Sequence, residues 1–131
     1  MLKNGSYQMN KSHALNTFWN KFGWLAFDEN SVPDDTKFPY ITYHEAVDKF
    51  GNSINLNASL WDRGNSWERI SLKAEDISKY INEGGYRTIK LDNGYLWLNT
   101  GSPFGQRMGD PNDDKIKRIF LNISAEYLTN Y

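Results

Sequence analysis

The sequence predicts an α+β domain, a mainly antiparallel β-sheet with two α-helices packed on one face. Three observations carry this reading. Two segments repeat apolar residues at helical spacing. Several others alternate apolar and polar residues with the period of a strand. The strand-like segments cluster, with no recurring strand–helix–strand rhythm, so a parallel doubly wound sheet is not expected. A length of 131 residues suits one domain with a respectable core. At 39% hydrophobic and 24% charged, the composition argues against disorder.

Residues 1–10 are polar and read as a flexible N-terminal arm, leaving 11–131 as the single domain. Ser12 stands where it can cap a helix running to about Phe22. Ala14, Leu15, Phe18, Trp19 and Phe22 form its apolar stripe, and Gly23 can stop it. The short apolar run 24–27 then enters an acidic loop bounded by Pro33 and Pro39. Pro39 holds Phe38 extended and points the chain into an aromatic strand, Tyr40-Ile41-Thr42-Tyr43. This stretch reads as an architectural hinge between two strands.

Residues 53–61 alternate cleanly, with Ile54, Leu56, Ala58 and Leu60 on one face and Ser53, Asn55, Asn57 and Ser59 on the other. That is a half-buried strand. Residues 62–66, DRGNS, read as a turn. Asn65 and Glu68 have capping-box spacing ahead of a helix carrying Ile70, Ala74, Ile77 and Ile81. Glu75 and Lys79 form an i,i+4 pair on its wet side, and Gly84-Gly85 end it.

Residues 87–99 read as a hairpin with Asn93-Gly94 as a type I′ loop. That register pairs Leu91 with Leu96 and Ile89 with Leu98, placing all four on one face. Residues 100–114 carry three glycines and two prolines and read as a long loop, functional or disordered. A last strand covers about 116–128. Ile119, Leu121, Ile123, Ala125 and Tyr127 face inward; Arg118, Asn122, Ser124, Glu126 and Phe120 face outward.

Composition narrows the function. A formal net charge of −1 gives no global attraction to nucleic acid. The absence of cysteine excludes disulfides, thiolate metal sites and a cysteine nucleophile, and fits an intracellular origin. No apolar run approaches the ~20 residues of a membrane span, and the N-terminus lacks the apolar core of a signal peptide. The sequons at Asn4, Asn57 and Asn122 read as chance. The 15% aromatic share is high enough to bring rings to the surface, where they favour interfaces.

Candidate chemistry is sparse. Asp110, Asn112 and Asp114 open like a calcium loop, but Lys115 stands where glycine is required and Leu121 where the bidentate glutamate belongs. His13 and His44 are the only histidines, and no spacing joins them to Glu45 or Asp48 as a metal site, or to a serine as a triad. His44 reads as a strand-end residue bonded to the backbone. Gly101-Ser102-Pro103-Phe104-Gly105 lacks the nucleophile-elbow pattern, and no phosphate-binding glycine motif occurs. Glu29, Asp34 and Asp35 read as solvated turn residues. No catalytic, metal or cofactor-binding residue is expected.

Interface candidates remain. Trp61 lies on the polar face of its strand, where it covers a helix end or sits in a subunit contact. Phe104, Gln106, Arg107 and Met108 have the composition of a contact surface. Lys115, Lys117 and Arg118 could meet phosphates, but Asp110, Asp113 and Asp114 offset them.

The order of these landmarks resembles the small tail-completion, or tail terminator, proteins of long-tailed bacteriophages. They are the amphipathic first helix, SVPDDTKFPYITY, LWDRGNSWERISLKAEDISKYI, the glycine-marked hairpin DNGYLWLNTGSPFGQRMGDPNDD, and IKRIFLNISAEYL. The resemblance implies a small α+β fold and a non-enzymatic virion protein, assembled in the bacterial cytoplasm. It further implies a ring, commonly a hexamer, that ends tube polymerisation and meets the head–neck connector. The implied partners are other copies of itself, the tail tube protein and the connector, without a membrane or sequence-specific nucleic acid. Residues 100–114 and 28–37, with Asp34 and Asp35, are the expected partner-contacting loops. Another head-closure or neck protein is the first alternative. A small carbohydrate-binding or hydrolytic domain using the exposed aromatics is the second.

Overall fold

The computed structural model describes residues 11–45, 53–83 and 88–129. The expected arm and the Gly84-Gly85 helix stop lie outside them. The chain runs α1 (Lys11–Asn20), β1 (Leu25–Asp28), β2 (Tyr40–Tyr43), β3 (Ser53–Asn55), β4 (Ala58–Arg63), α2 (Glu68–Asn82), β5 (Thr88–Lys90), β6 (Gly94–Gly109) and β7 (Ile116–Thr129). The seven strands form one sheet in the order β1-β2-β4-β7-β6-β5, with β3 also pairing β7. Every pairing is antiparallel except β1 with β2. The fold is α+β, with both helices on one face.

The helices follow their apolar stripes. Ala14, Leu15, Phe18 and Trp19 of α1 are buried, as are Ile70, Ile77 and Ile81 of α2. They meet Ile41, Tyr43, Ala58, Leu60, Leu96, Leu98, Ile119, Leu121, Ile123 and Ala125 from the inner face of the sheet. The ring of Trp19 stacks on Tyr43 with centroids 6.4 Å apart. α1 packs against both β1 and β5, the two edges of the sheet, so the sheet curls around it. Gly23 ends the turn after α1 at φ +90, a conformation that favours glycine. The Asn20 carboxamide then holds Ala26 from both sides, accepting from its N–H at 3.0 Å and donating to its carbonyl at 3.2 Å.

Several local expectations are corrected. Ser12 is inside α1, not at its cap, and its hydroxyl donates to Glu45. Asn65 does not cap α2; the Ser66 hydroxyl accepts the Glu68 N–H at 3.0 Å, and Trp67 is the N-cap residue. The helix-surface ion pair is Lys73 with Asp76, at 4.0 Å, not Glu75 with Lys79. Asp62 and Arg63 belong to β4, so the turn begins only at Gly64. The hairpin pairs Ile89 with Leu96 and closes on the Leu91 N–H to Gly94 carbonyl bond, so Asp92-Asn93 is the loop. Gly94 is drawn into the sheet opposite Thr129. A slip of two residues keeps every side chain on its own face, so the hydrophobic pattern could not detect it.

The largest correction concerns residues 100–114. Most of the expected loop is strand: β6 continues to Gly109 beside β7. A bulge lets it do so, because residues 101–104 together oppose Asn122 alone, between the Thr100–Ile123 and Gly105–Leu121 pairs. The Asn122 carboxamide donates to the Pro103 carbonyl at 2.8 Å. Only 110–115 turns, with Asp110 Oδ1 accepting the N–H groups of Asn112 and Asp113. That carboxylate thus organises an acidic turn before a strand.

Residues 53–61 keep a single register against β7 through β3 and β4. Regular bonding breaks at Asn57. Its side-chain Oδ1 accepts the Ile123 N–H at 3.0 Å, while its carbonyl turns to the His44 N–H at 2.8 Å.

Candidate functional site

With both helices on one face, the other face of the sheet stays open. Alternation assigns it Leu25, Phe27, Tyr40, Thr42, Ser59, Trp61, Gln106, Met108, Arg118, Phe120 and Asn122, and, further along, Tyr95, Trp97 and Leu128. A row of flat groups crosses its middle. Phe38 lies 5.4 Å from Tyr40, and Tyr40 stacks on Trp61 at 6.1 Å. The Arg118 guanidinium is 4.9 Å from the Trp61 ring and 5.7 Å from Phe120. These residues meet because Tyr40 pairs with Trp61 and Trp61 with Arg118 across adjacent strands. Burial pushes the Tyr40 hydroxyl above its ordinary range. Beyond the row, Tyr95, Trp97 and Leu128 are 37%, 43% and 40% exposed.

A cavity of about 150 Å³ opens beside the row, lined by Glu29, Thr42, His44, Asn55, Asn57, Ser59, Arg118 and Phe120 among others. His44 is fixed there twice, by its backbone N–H and by a 2.5 Å contact from ring Nδ1 to Glu29 Oε2. Glu29 is therefore a paired residue instead of a merely solvated one; His44 is a strand-end residue bonded to the backbone, as expected, and its ring adds the contact to the carboxylate. Ser59 is almost fully buried at 4% exposure, and its hydroxyl accepts from Arg118 Nε at 2.9 Å.

On the helix side, Trp67 at the start of α2 lies under two cations, Arg107 at 5.0 Å and Lys117 at 5.5 Å. Lys117 is buried and donates to the Asp114 carbonyl at 3.1 Å. Next to it the buried Asp62 carboxylate accepts from Arg69 Nε at 3.0 Å and from the Arg63 N–H at 2.8 Å. The bond to Asp62 holds the Arg69 guanidinium above its ordinary range. This cluster ties α2 to the end of the sheet.

The sheet separates the residues singled out from sequence. Gln106 and Met108 are exposed on the open face, opposite Phe120 and Arg118. Arg107 is on the helix side, donating to Ser71 Oγ at 3.3 Å. Phe104 is half-buried against the core beside α2. The four are therefore not one patch, since neighbours along a strand point to opposite sides. Trp61 covers no helix end; it is half-buried in the aromatic row, its Nε1 donating to Thr42 Oγ1 at 2.9 Å. Asp34 and Asp35 are exposed in the 29–39 connection. Sequence reasoning missed the cavity altogether. Its residues come from β1's exit, β2, β3, β4 and β7, and Ser59 and Arg118 stand 59 positions apart, so no short motif could mark it.

Among the described residues, no helix is long and apolar enough to cross a membrane, and no group of three acidic or histidine side chains is placed to hold a metal ion. Compared with protein-family models and with curated proteins, the chain matches none.

Proposed function

We propose that the protein is a non-enzymatic assembly component of a long-tailed phage virion: a ring on the end of the tail tube that stops polymerisation and joins tail to neck. The observation that carries this reading is the placement of exposed large apolar side chains on two opposite surfaces. Tyr95, Trp97, Met108 and Leu128 are on the open face of the sheet, while Leu72, 53% exposed, is on the outside of α2. A ring of identical subunits needs two different surfaces that meet head to tail. Aromatic and methionine side chains are what such contacts enrich. The α+β architecture agrees with the fold that the family resemblance implies.

The test is assembly. Purified protein is expected to sediment as a closed oligomer, or to form one on tubes of the tail tube protein, capping their ends in electron micrographs. Trp97→Ser and Leu72→Ser each remove one of the two surfaces and should yield monomers with unchanged circular dichroism. A strictly monomeric protein that leaves tube length unaltered would refute the proposal. Binding to portal assemblies in place of tubes would reassign it to head closure.

A further inference from the structure

The cavity on the open face is rich in unused donors, and we propose that it binds a carboxylate. Four side-chain oxygens around it already accept from the protein. Thr42 Oγ1 takes Trp61 Nε1 at 2.9 Å, and Ser59 Oγ takes Arg118 Nε at 2.9 Å. Asn55 Oδ1 takes the Asn57 N–H, and Asn57 Oδ1 the Ile123 N–H, both at 3.0 Å. A backbone N–H can meet only the oxygen of a carboxamide, so both amide orientations are settled. These bonds consume acceptors and spare donors. Among the described residues, two hydroxyl protons, two carboxamide NH2 groups and the terminal amino groups of Arg118 are left to a ligand.

Arg118 is the centre of the site. Trp61 and Phe120 bracket its guanidinium, and Ser59 fixes Nε. Among the described residues it has no carboxylate partner. A planar fork held in place, with its outer edge unused, matches the two oxygens of a carboxylate. Because the fork is already ordered, little rotamer entropy is lost on binding. Glu29 limits the charge the site accepts. Among the described residues it is the one acidic residue lining the cavity, and it is paired to His44. With that acid nearby, a singly charged carboxylate on Arg118 meets less repulsion than a phosphate dianion would. The ligand is either a small free carboxylate or an aspartate or glutamate side chain of another protein.

The site is independent of the assembly reading, since a monomer would hold a carboxylate equally well. The test is a nitrogen–proton NMR titration of the full chain with sodium acetate, against sodium chloride at matched ionic strength. A blocked Gly-Asp-Gly peptide and its Gly-Asn-Gly counterpart are titrated in parallel. Saturable shifts are expected at the Arg118 side chain, the Asn55 and Asn57 carboxamides and the Ser59 amide. Arg118→Gln should abolish them. Arg118→Lys, which keeps the charge and stem, should weaken binding about tenfold or more, the equivalent of one lost charge-assisted bond. Acetate binding as tightly as the aspartate peptide assigns a small free acid; the aspartate peptide binding tighter than acetate, with the asparagine peptide silent, assigns a protein side chain. Shifts that chloride reproduces, or that survive both substitutions, overturn the proposal, as does the absence of saturation with either carboxylate.

Discussion

Asn57 does the work of a backbone carbonyl, and its substitution tests that substitution of roles directly. Its Oδ1 accepts the Ile123 N–H at 3.0 Å, while its own carbonyl is committed to His44. Ile123 is 2% exposed with Asn57 in place. Asn57→Ala therefore leaves a buried donor unsatisfied, at a cost of about 1–3 kcal/mol. Asn57→Asp keeps an oxygen in place and should cost less than Asn57→Ala. Two measurements check this. Urea unfolding reads the stability difference at constant m-value. Amide exchange reads the Ile123 N–H itself, which should lose protection in Asn57→Ala and keep it in Asn57→Asp. Equal destabilisation by both variants, or an Asn57→Ala protein as stable as the parent, would sink the reasoning. The aspartate variant also places a second acid in the cavity and should fail to bind acetate while folding normally.

The bulge in β6 makes a paired prediction: a Cβ at Gly101 would stand 2.9 Å from Asn122 Cβ, whereas one at Gly109 would meet nothing within 4 Å. Gly101→Ala should cost about 1–3 kcal/mol in chemical denaturation by overpacking, and Gly109→Ala should be tolerated. Trp19 is 1% exposed and packs on Phe18, Phe22 and Tyr43, so Trp19→Ala should lose about 3–5 kcal/mol in the same assay. The Lys115 N–H, with Arg63 behind it, holds the Asp113 carboxyl below its ordinary range. Its small stabilising effect is thus complete above the usual carboxylate pKa and fades as pH falls through the lowered one. Thermal melts across acidic pH should show a dependence that Asp113→Asn reduces; an identical pH profile in that variant would contradict it.

Periodicity located both helices, the alternating segment 53–61 and the last strand, with their buried faces, and Pro39 pointed to the aromatic strand. That follows because a stripe or an alternation is a local property, repeated every few residues along the chain. Three features escaped it. The parity of the 87–99 hairpin was legible, but its register was not, since a shift of two leaves the pattern unchanged. Residues 100–114 looked like a loop because glycine and proline usually interrupt strands. Here a four-residue bulge absorbs the interruption, and pairing with β7 draws the rest into the sheet.

The parallel pairing of β1 with β2, in a sheet otherwise antiparallel, was likewise a tertiary choice. The open face shows the same division. Part of it was visible as the outward half of two alternations, Asn55, Asn57 and Ser59 in 53–61 and Arg118, Phe120 and Asn122 in the last strand. Which of them stand side by side depends on strand order and register, which bring Thr42, Ser59 and Arg118 together from three strands. The sequence by itself determined which side of each periodic element is buried, because burial there is written in the local order of apolar and polar groups. Only the tertiary structure decided what the other side displays, because contacts between residues tens of positions apart come from pairing energies summed over the whole sheet.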